Sequence, residues 1–116
     1  MSEVRAGSLF AALPRRAAAE RLDDLLAGGP FRLLRIVSSG QATPPGEWYD
    51  QADDEWVALL RGAAVVRLAD EATPRRLAPG DWLLLPAGRR HRVEWTAPDG
   101  PTVWLALHHV AQGGDR

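Results

Sequence analysis

Pro79-Gly80-Asp81-Trp82-Leu83-Leu84-Leu85-Pro86-Ala87-Gly88-Arg89-Arg90-His91 reads as an apolar strand closed by a Pro-x-Gly turn that presents a histidine on its far side. Its spacing is G-x5-P-x-G-x2-H, with a glycine ahead of the strand and another in the tight turn behind it. Upstream, Glu55-Trp56-Val57-Ala58-Leu59-Leu60-Arg61-Gly62 has the form E-x6-G. Around these two segments, Phe31 to Ser38, Glu47 to Gln51, Glu55 to Arg61, Ala64 to Ala69, Asp81 to Pro86, His91 to Thr96 and Thr102 to His109 read as short strands between Gly, Pro, Asp or Ser clusters. Such a series with no helix inside it predicts an antiparallel sandwich or barrel. Arg61-Gly62-Ala63 reads as a short hairpin in which glycine supplies positive φ, and Ala97-Pro98-Asp99-Gly100-Pro101 as a second turn.

Leu9 to Ala27 is the helical candidate. Leu22, Leu25 and Leu26 fall on one face, with Glu20, Arg21, Asp23 and Asp24 opposite, and Gly28-Gly29-Pro30 reads as the stop. The organisation expected is a helical segment at 1–30, a barrel at 31–110 and a polar tail at 111–116.

The chain has 116 residues, enough for one domain with one core. Fourteen basic residues, all arginine, stand against fifteen acidic ones, so no nucleic-acid footprint stands out. No apolar run is long enough to span a membrane and no secretory leader is visible, so a cytoplasmic protein is expected. The absence of cysteine excludes disulfides, thiolate metal sites and a cysteine nucleophile. A Gly-x-Ser-x-Gly elbow, a phosphate loop, a dinucleotide fingerprint and an H-E-x-x-H pair are all missing, which argues against nucleophilic catalysis.

The two motifs together resemble those of the cupin superfamily, over roughly Phe31 to His109. The resemblance is to small bacterial RmlC-like cupins, and it implies an all-β double-stranded β-helix, or jelly-roll barrel, here with a short N-terminal α-helix. In metal-binding cupins the first motif supplies two histidines and a glutamate, and the second supplies one histidine. By position, Glu55 matches the glutamate and His91 the second-motif histidine. The H-x-H pair lies three or four residues before the glutamate, on Tyr49 and Gln51 or on Trp48 and Asp50, so neither spacing restores a histidine. The asparagine that usually follows the second-motif histidine is Trp95.

The candidate metal ligands are therefore Asp50, Gln51, Glu55 and His91, a set suited to Mn, Fe, Ni or Zn. With Tyr49 and Arg89 they form the candidate ligand-binding set, Arg89 as a grip for a carboxylate or phosphate. Against this stands the plainer possibility that Glu55 and His91 bond to each other, or to an arginine, in an empty barrel mouth. His108 and His109 close the last strand, where alternation turns one inward and the other outward. Four of the five tryptophans, Trp56, Trp82, Trp95 and Trp104, are expected in the core or on a sheet face covered by a partner chain, and Trp48 beside the site as a stacking surface. Two functions are open: binding of a small molecule without chemistry, or a divalent-metal enzyme of dioxygenase, isomerase or lyase type acting on a small organic acid or sugar derivative. The partners expected are a small-molecule ligand and, as is common among cupins, a second copy of the chain in a homodimer.

Overall fold

A computed structural model of the chain describes residues 4–14 and 16–110. Its elements are the strands β1 (Arg21–Gly28), β2 (Phe31–Ser38), β3 (Asp53–Arg61), β4 (Ala64–Leu68), β5 (Arg75–Leu77), β6 (Trp82–Leu85), β7 (His91–Thr96) and β8 (Thr102–Val110). All pairings are antiparallel. A five-stranded sheet runs β1-β2-β8-β3-β6 and faces a three-stranded sheet, β5-β4-β7. Leu34, Val57, Leu59, Val66, Leu85 and Trp104 form the core between them. The period-2 pattern puts alternate residues of β3, β4 and β8 into that core.

The expected N-terminal helix is not there: among the described residues no element is helical. Arg21–Gly28 is instead the edge strand β1, and the leucine spacing that imitates a helical face comes from a bulge. The register jumps between Asp24 and Leu26, leaving Leu25 unpaired, so Leu22 and Leu26 are strand positions separated by one extra residue. The acidic pair behind this spacing finds its partners across the strand. Asp23 accepts from Arg35 at 2.8 Å and Asp24 from Arg32 at 3.0 Å. Gly29-Pro30 is then a two-residue hairpin turn between paired Gly28 and Phe31, not a helix stop.

Glu47 to Gln51 is likewise not a strand. It carries one β-bridge among the described residues, where Tyr49 and His91 exchange backbone hydrogen bonds of 2.7 and 3.1 Å. The Gly62 turn has the positive φ expected of it, 89°. It joins no hairpin, however: β3 and β4 lie in different sheets, and the turn carries the chain from one to the other. The tail expected at 111–116 lies outside the described residues. No helix among the described residues is long and apolar enough to cross a membrane.

Candidate functional site

A cavity of about 150 Å³ opens between the sheets, lined by Tyr49, Gln51, Glu55, His91 and His108 together with a largely apolar wall. Glu55 heads β3, His91 heads β7 and His108 lies near the end of β8, so three strands deliver their ionisable groups to one end of the core. Glu55 and His108 are directly paired across β3 and β8, which puts their side chains on the same face.

Glu55 stands between the two imidazoles. Its Oε1 lies 3.6 Å from His91 Nε2, and its Oε2 lies 3.6 Å from His108 Nε2. Both separations are too long for a direct hydrogen bond. Burial pushes the Glu55 carboxyl up to about 7 from 4.5. Burial also lowers both histidines, His91 against a small opposing effect of the Arg89 carbonyl, and His108 with help from the nearby Arg32 charge. His91 Nδ1 is 3.2 Å from the Arg89 carbonyl oxygen. A carbonyl only accepts, so Nδ1 carries the proton and Nε2 of neutral His91 presents a bare lone pair toward Glu55. The Tyr49 hydroxyl is raised by burial and by the negative charge of Glu20, which keeps it a phenol and a donor.

Turn geometry holds the histidine in place. Gly88 has φ 78° and donates to the Gln51 carbonyl at 2.9 Å, while buried Asp54 accepts from the Ala87 N–H at 2.7 Å. The second motif is thus pinned to the loop that carries Tyr49 and Gln51. At the rim, Glu20 accepts from the Ser38 hydroxyl at 2.5 Å, and Ser38 in turn accepts from the Trp104 indole at 3.1 Å.

Tyr49, Gln51, Glu55 and His91, four of the six candidates, meet at this cavity, and Asp50 and Arg89 do not. Asp50 is exposed, and Arg89 pairs with Asp70 at 3.0 Å. Of the two spacings for the missing H-x-H pair, the positions that face the cavity are Tyr49 and Gln51. Trp48 lies elsewhere, its ring covered by Arg90 and Arg92 at 5.7 and 5.9 Å. His108 and Glu20 are additional lining residues. The signal for His108 was present: it alternates with Ala106 and Trp104, so a buried Trp104 turns it inward. Glu20 had no such signal, being read as the polar side of a helix.

Residues 34–108 match the family model for the cupin domain. The chain belongs to the cupins. Among solved structures, this cupin is 46% identical to a candidate mannose-6-phosphate isomerase from Ralstonia eutropha JMP134, with a TM-score of 0.92 over 93% of this chain and 100% of the other. A cupin superfamily protein from Desulfitobacterium hafniense DCB-2 shares 18% identity at a TM-score of 0.74, over 95% of this chain and 94% of its own. An RmlC-like cupin from Methanocaldococcus jannaschii, described with a double-stranded β-helix fold, shares 13% identity at 0.65, over 84% and 86%. These last two likenesses concern the fold. No curated protein matches the chain.

The cupin fold raises the question of a divalent metal. The donor types suit one, since two imidazoles and a carboxylate are common ligands of Mn, Fe, Ni and Zn. Their arrangement does not: the two Glu55 oxygens face different imidazoles, and among the described residues no three His, Asp or Glu side chains are placed to hold an ion.

Proposed function

We propose that this cupin binds one small organic molecule in the cavity between its sheets, with Glu55, His91, His108 and Gln51 as the polar contacts. The observation that carries this reading is the spacing at Glu55. Buried Glu55 approaches buried His91 and half-buried His108 only to 3.6 Å, too far for any of them to satisfy another, beside the apolar wall of the cavity. Buried polar groups are rarely left without partners, and a ligand oxygen fits between these. A phosphosugar isomerase activity, named for the Ralstonia eutropha relative, would need an anion grip; the candidate for that role, Arg89, is committed to Asp70.

The alternative is a metal-dependent enzyme built on the same side chains, and it is favoured by the bare Nε2 of His91. Elemental analysis of protein purified without chelator or nickel resin, then reconstituted in turn with Mn, Fe, Ni and Zn, separates the two. Metal-free binding requires negligible metal at every stage. One equivalent retained by the native chain and lost from His91→Ala and His108→Ala would replace the metal-free reading with the enzyme. Cytoplasmic placement and a homodimer belong to the same proposal.

A further inference from the structure

We infer that the ligand of this cavity is an uncharged molecule about the size of a singly substituted benzene ring, with one hydroxyl, and that carboxylates and sugar phosphates are excluded. This rests on the ligand-binding reading above and adds the chemical class. Size is the first argument. The cavity measures about 150 Å³, about the volume that one benzene fills, and its mouth beside exposed Tyr49 and Leu22 is open, so size sets the buried body of the ligand.

The second argument is the lining. Ile36, Val57, Val66, Leu85, Val93 and Trp104 form an apolar wall, which rewards a hydrocarbon body and gives a sugar's hydroxyls no partners. Polar groups gather instead around Glu55, where one ligand hydroxyl can donate to the carboxylate or to His91 Nε2.

Charge is the third. Two carboxylates, Glu55 and Glu20, face the cavity, and no arginine among the described residues lines it. Arg32, which lies beside His108 across the β2 and β8 pairing, gives its Nε and Nη2 to Asp24 at 3.2 and 3.0 Å. Arg92 donates to the Thr43 carbonyl at 2.8 Å. An entering anion would lose its water and meet two carboxylates with no arginine on the lining to receive it.

The test is an NMR titration of the full-length, nitrogen-15-labelled protein at pH 8 with three probes: benzyl alcohol, benzoate and mannose 6-phosphate. Benzyl alcohol is expected to shift the Trp104 indole and the His91 and His108 ring signals saturably, with benzoate and mannose 6-phosphate at least about tenfold weaker. In Glu55→Gln the gap between benzyl alcohol and benzoate is expected to narrow, because a carboxylate that repels the anion has been removed. Stronger binding of either anion to the native chain would overturn the inference while leaving the ligand-binding reading in place. An unchanged gap in Glu55→Gln, with the variant folded, would overturn the charge argument. Silence from all three probes up to their solubility would remove the ligand-binding reading and the inference together.

Discussion

A carboxylate that is only 8% exposed, and whose pKa is raised by burial alone, carries a cost that depends on pH. Glu55 binds its proton more tightly folded than unfolded, so its destabilising effect is absent below about 4.5, grows as pH rises and is complete above about 7. At about 1.4 kcal/mol per unit, that difference amounts to roughly 3 kcal/mol. His91 and His108 work in the other direction. Their pKa values are lowered, so the cost of charging them is felt in acid and disappears above about 6.5. The native pH profile therefore mixes two opposed trends. Replacing Glu55 by glutamine removes one and keeps the shape of the side chain. The stability gap between Glu55→Gln and the native chain, from urea unfolding at a series of pH values, should widen in the variant's favour between about pH 4.5 and 7 by roughly 2–3 kcal/mol and then level off. A gap that is flat with pH would mean that Glu55 is solvated or already paired. Glu55 and His91 were legible before the structure because their motifs fix them to strand heads. Arg89 lies off the cavity and pairs with Asp70, nineteen residues away, and spacing along the chain does not show which carboxylate a turn arginine meets.

Strand β1 shows how far periodicity can mislead and what holds such a segment once it is in place. One bulge residue turns a strand's alternation into a three-then-four spacing, and nothing in the local composition distinguishes the two. The partners decide it, and the chief one is Arg35. This buried guanidinium donates to Asp23 on β1 at 2.8 and 3.1 Å and to the Ala11 carbonyl at 2.6 Å, tying β1 and the segment ahead of it to β2. Asp23 is lowered in turn, chiefly by the hydrogen bond from Arg35, so the pair's contribution is present above about 3.8 and is lost as pH falls through the folded value. Arg35→Ala should cost about 1–3 kcal/mol, because it removes the bonds of a buried guanidinium to Asp23 and Ala11, while Asp23 keeps Arg21 as a partner. The loss should appear in hydrogen exchange as earlier opening of β1 amides than of β3 and β8. Uniform loss across all strands would show that β1 is not a separable unit. The turn from β3 to β4 makes a second case, and here the glycine was read correctly but its setting was not. At φ 89° Gly62 lies against Thr102, and an added Cβ would sit 2.8 Å from the Thr102 Cα, a backbone atom that has no easy way to move. Gly62→Ala is expected to lower stability by about 2–3 kcal/mol, with the positive φ and the contact both contributing. A midpoint of urea unfolding within error of the native one would refute both contributions.

The molecule as a two-sheet cupin was legible because short strand-forming runs stand between turn residues, and because a motif names a pairing of hairpins that no single strand can. What the sequence could not show was which faces are left over. On the outer face of the five-stranded sheet, the pairings align Leu105, Ala58 and Trp82 in one row and Leu107, Trp56 and Leu84 in the next. Trp82 stacks on Trp56 at 6.1 Å yet remains 59% exposed, and Leu84 is 53% exposed. Across β8, β3 and β6 neither row contains a charged residue, and Arg35, which continues the first row on β2, is paired with Asp23. Like-charge repulsion is the usual obstacle when a patch meets its own copy, and here there is none, so a second chain related by a two-fold axis can cover these rows with the same rows. The patch lies beside β6, which ends the sheet. Aromatic anchors at the centre of such a face contribute most of the binding energy in interfaces of about 800 Å² per partner. Sedimentation at tens of micromolar should therefore give twice the 12.7 kDa chain mass. Trp82→Glu, which places a carboxylate against its symmetry mate at an already exposed position, should give the single-chain mass with little change in unfolding midpoint. A native protein that sediments as a monomer would overturn this assignment of the second copy. A dimer that survives Trp82→Glu would move the interface to another face and leave these tryptophans without a partner.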